Sequence, residues 1–590
     1  MSLIPSPLCI AANTIPTDDI IGYLAPTLEV YKGCTLIDVH PGACLWSSKL
    51  HDFLKPKRHV LMEPEMSYYD AFVKPLLDQP GSTYRHTTLS GAHPRAYWDN
   101  YKLIFEDKDL VGQPALPLDD PKLREINTNI LLTGNLWRRY PIQHRASYVD
   151  ASTLLLQHMT YAALTNDIFH RCGLVRQLWW APDEKKQNFL PTSVRGKRSY
   201  DSGLAMGGSI TEVAGVSRAE SLQRAAAAET PRSAKMDAVV LGRVEHRMAE
   251  KGMEIPPGRE MPKAMEAIKV EDDIHATDSI MATSCTTIDE LRAAVEKFDT
   301  WLEFLQVEMV KDKLDAKGVR TMPTAERVEE LLKKYLRYRQ SVDVVESRRP
   351  WSSDFVANNM QYLRVVVLKD MEARLINLEA EYAAVRDTNP DPEALAACRD
   401  SIIASGKIVA HLNLRILSER RYRFARALTD DLISVEAQAS NIHRDRRPYE
   451  PLQAKNEEFW PQYGLTLLDI MPDTRDLSAP GISDRREGTK VCQELLKYLF
   501  HSPKMPVTVA LERVAPNAAQ DLIPDVPAIT DVRRGGRLNP GVLPVRMLTP
   551  EMVEGLVKAF LEWPFRPTLV ELALAEDAGH DDDESDGEID

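Results

Sequence analysis

No apolar run in this chain approaches the roughly 18 residues needed to span a bilayer, so the sequence predicts a soluble protein with no membrane partner. The seven cysteines (Cys9, Cys34, Cys44, Cys172, Cys285, Cys398 and Cys492) are scattered without a CxxC pair. That spacing gives no zinc site and fits free thiols in a reducing compartment. Walker loops, nucleophile elbows and His/Glu metal motifs are absent, and no metal is expected. The first 30 residues hold no arginine and carry Asp18, Asp19 and Glu29, so composition alone shows no organelle presequence. A net charge of -14 argues against a uniformly basic nucleic-acid coat, though local basic patches remain open.

What is present is length and core-forming material. A chain of 590 residues, 44% of them hydrophobic, suffices for two or three domains. The organising stretch is Thr35 to Glu63. A short apolar run, Thr35 to Val39, reads as a buried strand. It is followed by the turn His40-Pro41-Gly42-Ala43, a helix from Leu45 to Leu54, and a second strand, His59 to Met62, ending on Glu63. Strand, turn, helix, strand and acid form the first half of a nucleotide-binding α/β sheet, whose ligand lies outside the carboxyl ends of the strands. Glu63 is placed to accept hydrogen bonds from a ribose. Only Gly42 supplies glycine in the turn, and His40 and Cys44 stand where small residues are expected. Two readings follow: a nucleotide crevice, or an α/β core whose pocket no longer binds one.

Residues 1–34 read as a Pro-punctuated N-terminal segment with a helix near Thr17 to Glu29, capped by Thr17. An α/β domain is expected over 35–217. It continues with a helix from Met66 to Leu77, a strand Asn129 to Thr133, a helix Ala151 to Phe169 and a strand Leu174 to Ala181. Alternating strands and helices imply a mostly parallel sheet. The Ser/Gly-rich stretch Pro191 to Gly215 reads as loop. Residues 218–448 are expected to be partly disordered at first and then a helical insertion, with helices over Ile288 to Lys313, Thr324 to Val345, Ser352 to Val385 and Pro392 to Glu436. Residues 449–575 regain mixed character. A strand Leu465 to Ile470 completes the sheet there, ahead of a small helical C-terminal domain with helices near Lys490 to Phe500 and Pro550 to Leu561. The acidic end, 576–590, reads as a solvated tail.

Two constellations bear on nucleic acid. Asn135 directly follows a strand, in the segment GNLWRR. A carboxamide there can accept the hydrogen of an exocyclic amine, Trp137 can stack on an unpaired base at ~1–3 kcal/mol, and Arg138 and Arg139 suit phosphate. The alternative is a strand end with its aromatic in a core. Further on, Arg415, Arg420, Arg421, Arg423 and Arg426 alternate with Tyr422 and Phe424 around a helix, as a nucleic-acid backbone requires; a salt-bridged face in a Glu-rich bundle is the other reading. Arg444, Arg446 and Arg447 form a smaller cluster beyond.

The segments DVHPGACLWSSKL, TGNLW and LWWAPDEKKQNFLPTSVRGKRSYDSGLA, with Glu63, resemble the ribosomal RNA adenine dimethyltransferase superfamily. EEFWPQYGLTLLDIMPD and FLEWPFRPTLVELAL are similar to the fungal mitochondrial transcription factor 1 family, methyltransferase-like specificity factors of a single-subunit polymerase. The resemblance covers roughly 35–215 and 449–575. It implies a Rossmann-like methyltransferase sheet, with Asp38, Gly42, Glu63 and Asn135 matching the S-adenosylmethionine site and Asn135 matching the catalytic Asn. Departures are several. The glycine motif survives only in part, the Pro and aromatic after Asn135 are replaced, and the acid expected near Thr87 to Gly91 and the segment before the first strand are missing. Methyl transfer needs donor and amine held within about 3–3.5 Å, so donor binding is expected to be weak or lost and Asn135 to be a relic. The resemblance implies a mitochondrial initiation factor that helps the mitochondrial RNA polymerase find and melt promoter DNA in the matrix. A dimethyltransferase acting on small-subunit ribosomal RNA is the alternative. Trp137, Arg138, Arg139, Arg420, Arg421 and Arg423 are the candidate nucleic-acid contacts.

Overall fold

Eight strands form one sheet, in the order β3-β2-β1-β4-β7-β10-β8-β9. The computed structural model describes residues 14–137, 139–141, 148–150, 152–216, 234–261, 281–310, 360–416, 429–437, 441–459, 462–473, 475–478, 485–568 and 571. In chain order the strands are β1 (Thr35–Val39), β2 (Arg58–Met62), β3 (Tyr84–Thr87), β4 (Ile126–Asn135), β7 (Leu174–Pro182), β8 (Gly208–Val216), β9 (Leu452–Ala454) and β10 (Leu465–Pro472). A separate antiparallel pair, β5 (Arg139–Pro141) and β6 (Tyr148–Asp150), leaves the end of β4. All pairings in the large sheet are parallel except those of β10, which runs antiparallel to β7 and β8. The fold is an α/β, Rossmann-like sheet with a helical C-terminal region.

Strands covered on both faces read as near-continuous apolar runs, and β1, β4 and β7 do so. Period-2 alternation divides them. Leu36, Leu131, Leu178 and Leu467 face one layer, with α1 (Thr14–Leu28) and α2 (Leu45–Leu54). Ile37, Leu132, Trp179 and Leu468 face the other, with α3 (Tyr97–Glu106) and α4 (Ser152–Thr165). Across the middle, Arg176 of β7 donates to Asp469 of β10 through Nε (2.9 Å) and Nη2 (2.7 Å), and to the carbonyl of Thr27 at 2.8 Å. This buried pair ties the sheet to the end of α1.

Two expectations fail for physical reasons. Thr17 does not cap its helix: α1 begins at Thr14, and Thr17 is buried within it. The stretch 191–215 is not loop. It contains α5 (Ser199–Gly207) and the interior strand β8. Its glycines permit close approach rather than flexibility. A Cβ on Gly207 would stand 2.4 Å from the Thr160 carbonyl oxygen, and one on Gly208 2.6 Å from that of Met471. The predicted helix Met66 to Leu77 is present but passes through a π-helical turn at Tyr69–Val73.

Within the stretch expected to be partly disordered, α6 (Ala234–Glu250) is ordered, and its Met236, Val240, Val244 and Met248 join the α1 layer. The insertion continues with α7 (Ile288–Val310), α8 (Met360–Arg386) and α9 (Pro392–Ile416). The helix expected over 324–345 lies outside the described residues. α8 docks on the C-terminal domain through Glu379 with Arg537 (3.0 Å) and Arg386 with Asp531 (2.8 Å). That domain has its own core, built on α10 (Arg485–His501), α11 (Val507–Val514) and α12 (Pro550–Glu562). Among the described residues no helix is long and apolar enough to cross a membrane.

Candidate functional site

The strand order reverses between β1 and β4, which makes a crevice at their carboxyl ends the place where a sheet of this type binds ligand. Register puts the expected residues there side by side. Val39 pairs with Met62 on one side and Gly134 on the other, so His40, Glu63 and Asn135 leave three adjacent strands at one level.

The turn after β1 keeps a backbone suited to glycine. His40 (φ 54°), Gly42 (φ 57°) and Cys44 (φ 59°) all lie in the left-handed region, although only one is glycine. A non-glycine residue there costs on the order of 1 kcal/mol. His40 Nε2 lies 2.8 Å from Ser90 Oγ, and Cys44 Sγ donates to the Gly42 carbonyl at 3.6 Å. Burial, with the nearby charges of Asp38 and Glu63, pushes the Cys44 thiol up and keeps it protonated.

Glu63 is 1% exposed, and both its oxygens are engaged: Oε2 accepts from the Gly42 N–H (3.2 Å) and Oε1 from the Glu65 N–H (3.0 Å). Asp38 is equally buried beneath the turn, its Oδ2 3.4 Å from His59 Nε2. His59 Nδ1 in turn lies 3.1 Å from His51 Nδ1, and His51 stacks on Tyr84 at 4.0 Å. Burial, then His59, lowers His51 to about 4. These histidines and Ser90 were not singled out from sequence. The usable signal was His59 itself, a polar residue in a buried strand, on the same face as Asp38 once β1 and β2 pair in parallel.

Asn135 turns its carboxamide inward, Oδ1 accepting the Trp137 N–H at 2.8 Å. Trp137 is not an open stacking platform. It is 7% exposed, belongs to the α1-side core, and one face of its indole lies on Tyr463 at 4.8 Å and 15°. Arg138, Arg420, Arg421 and Arg423 lie outside the described residues, and Arg139 is described only through its backbone in β5.

The crevice therefore gathers Asp38, Gly42, Glu63 and Asn135; Glu63 and Asn135 accept backbone N–H groups, whereas Asp38 Oδ2 has no hydrogen-bond partner among the described residues. For S-adenosylmethionine, the donor that the resemblance implies, Glu63 is the residue that would meet the ribose; each of its oxygens already accepts one backbone N–H, from Gly42 and Glu65, and Cys44 stands in the turn. Among the described residues no group of three or more His, Cys, Asp or Glu is arranged to hold a metal ion. The fold and site define a Rossmann-like α/β protein whose switch-point crevice brings together Asp38, Gly42, Glu63 and Asn135. Neither a scan of family models nor a search of curated proteins finds a match to this chain.

Proposed function

We propose that this protein is a non-enzymatic initiation factor of mitochondrial transcription, built on a methyltransferase-like sheet, that helps a single-subunit RNA polymerase recognise and open promoter DNA in the matrix. The observation that carries this reading is the state of Glu63: a carboxylate that should be free for a ribose accepts two backbone N–H groups at 1% exposure. A factor of this kind would act through the surfaces of the sheet and of the appended helices, which would meet protein and nucleic acid. Run-off transcription from a linear mitochondrial promoter, with the cognate polymerase and with or without this chain, tests it. Promoter-specific initiation only in its presence is the expected result; equal initiation without it refutes the reading.

One observation favours the alternative, a small-subunit ribosomal RNA adenine dimethyltransferase. The left-handed backbone at positions 40, 42 and 44 and the placement of Asn135 at the end of β4 retain the frame of such a site. Transfer of labelled methyl to small-subunit RNA would establish it.

A further inference from the structure

At the end of the sheet opposite the crevice lies a group of buried donors that the proposed function does not use. Leu465 pairs with Pro182 at the carboxyl end of β7, whereas Pro472 pairs with Gly208, so residues near 208–210 and 472–475 stand at the other end. The segment His443–Arg447, an arginine cluster in the sequence, folds against this end. His443 Nδ1 accepts the Ile210 N–H at 3.3 Å, which places the ring proton on Nε2. His443 is 4% exposed, and that Nε2 has no acceptor among the described residues. The Nε atoms of Arg446 and Arg475 are likewise buried with no acceptor among the described residues.

Orphaned buried donors call for a water or an ion. A single water accepts two hydrogen bonds, fewer than the three donors here. Three donors, the Nε–H groups of two guanidiniums and an imidazole N–H, match an oxyanion better, because guanidinium N–H groups bond phosphate oxygens and supply charge. Burial lowers the neighbouring Lys197 to about 7, so it adds only part of a charge near neutral pH. Burial, then Arg446, Lys197 and Arg475, holds His443 well below its ordinary pKa, so it stays a neutral donor. The acids nearby are committed or flanking. Asp473 takes Arg475 Nη2 at 2.6 Å, Glu554 lies 3.8 Å from Nη1, Asp445 and Asp473 flank Arg446, and Asp201 flanks Lys197. Lys197 Nζ also donates to Asn441 Oδ1 and to the Leu548 carbonyl (2.6 Å), which fixes the C-terminal domain beside the cluster. Arg446 and Arg475 keep part of their surface open, which provides an entrance.

We propose that His443, Arg446 and Arg475 form the donor shell of a phosphate-binding site. The ligand is a phosphate group, either free or as a phosphodiester of nucleic acid, and the site does not depend on the transcription reading. The test titrates inorganic phosphate into the full chain by calorimetry at constant ionic strength, using wild type, Arg446→Gln, Arg475→Gln and, as a distant control on β3, Arg85→Gln. Saturable binding to wild type and the control, about tenfold weaker in each of the other variants, is expected from loss of a charge-assisted bond. Phosphate should also raise the thermal midpoint of wild type and not that of the two cluster variants. No saturable binding to wild type, or equal binding in every protein, overturns the site. A short unphosphorylated oligothymidylate separates the sources. Binding with the same variant dependence assigns the site to a nucleic-acid backbone, and a response to phosphate alone assigns it to free phosphate.

Discussion

Asp469→Ala tests the central tie of the sheet. Asp469 accepts two guanidinium bonds from Arg176, at 2.9 and 2.7 Å, and the Tyr449 hydroxyl at 2.8 Å. After truncation Arg176, 1% exposed, retains the Thr27 carbonyl (2.8 Å), Thr27 Oγ1 (3.0 Å) and the Tyr31 ring (5.7 Å), but its charge has no counter-ion. Removing one partner of a buried ion pair costs about 3–5 kcal/mol, and the orphaned Tyr449 hydroxyl adds about 1 kcal/mol. Against a whole-protein stability of about 5–15 kcal/mol this is a large share. Urea unfolding followed by tryptophan fluorescence reports on the right region, since Trp179 and Trp180 lie in β7 beside the pair. Arg176→Met with Asp469→Leu removes both charges and should recover most of the loss. A single variant that loses less than about 1 kcal/mol would refute the reasoning, because the pair could then not be both buried and uncompensated.

Four further outcomes are expected. Gly207→Ala should destabilise by about 1–3 kcal/mol or more through overpacking, because its Cβ meets the Thr160 carbonyl at 2.4 Å. Gly242→Ala, with open space around it on α6, should stabilise by about 0.5–1 kcal/mol, and paired thermal melts check both. Trp137→Ala should cost about 3–5 kcal/mol of stability as a core truncation, read by urea midpoint. Burial lowers His170 from 6.5 to about 3, and burial with His59 lowers His51 to about 4. The unfolded chain then binds more protons than the folded one below pH 6.5, so stability should fall as pH drops from 6.5 towards 4. His170→Gln should flatten that slope in pH-dependent melts.

Much of the sheet was legible because buried parallel strands and their connecting helices leave strong local patterns. Thr35–Val39 and Leu45–Leu54 are bounded in the structure as the apolar periodicity predicts. The region 191–215 misled because glycine and serine carry two meanings: Gly207 and Gly208 are small so that α5 and β8 can touch α4 and β10, and sequence spacing does not show that neighbour. The crevice was legible in position and not in state. Asp38, Gly42, Glu63 and Asn135 converge as their places at strand ends require. That His59 holds Asp38, and that Ser90 meets His40, depends on strand register and on a loop far along the chain. Trp137 was ambiguous for a similar reason, since its stacking partner Tyr463 lies beyond the whole insertion.

The most direct test of the reading that donor binding is lost is calorimetric titration of the full chain with S-adenosylmethionine. The account predicts no saturable heat, since Glu63 and Asn135 spend their oxygens on Gly42, Glu65 and Trp137. Stoichiometric binding that is lost in Glu63→Gln would contradict it and return the dimethyltransferase reading to first place.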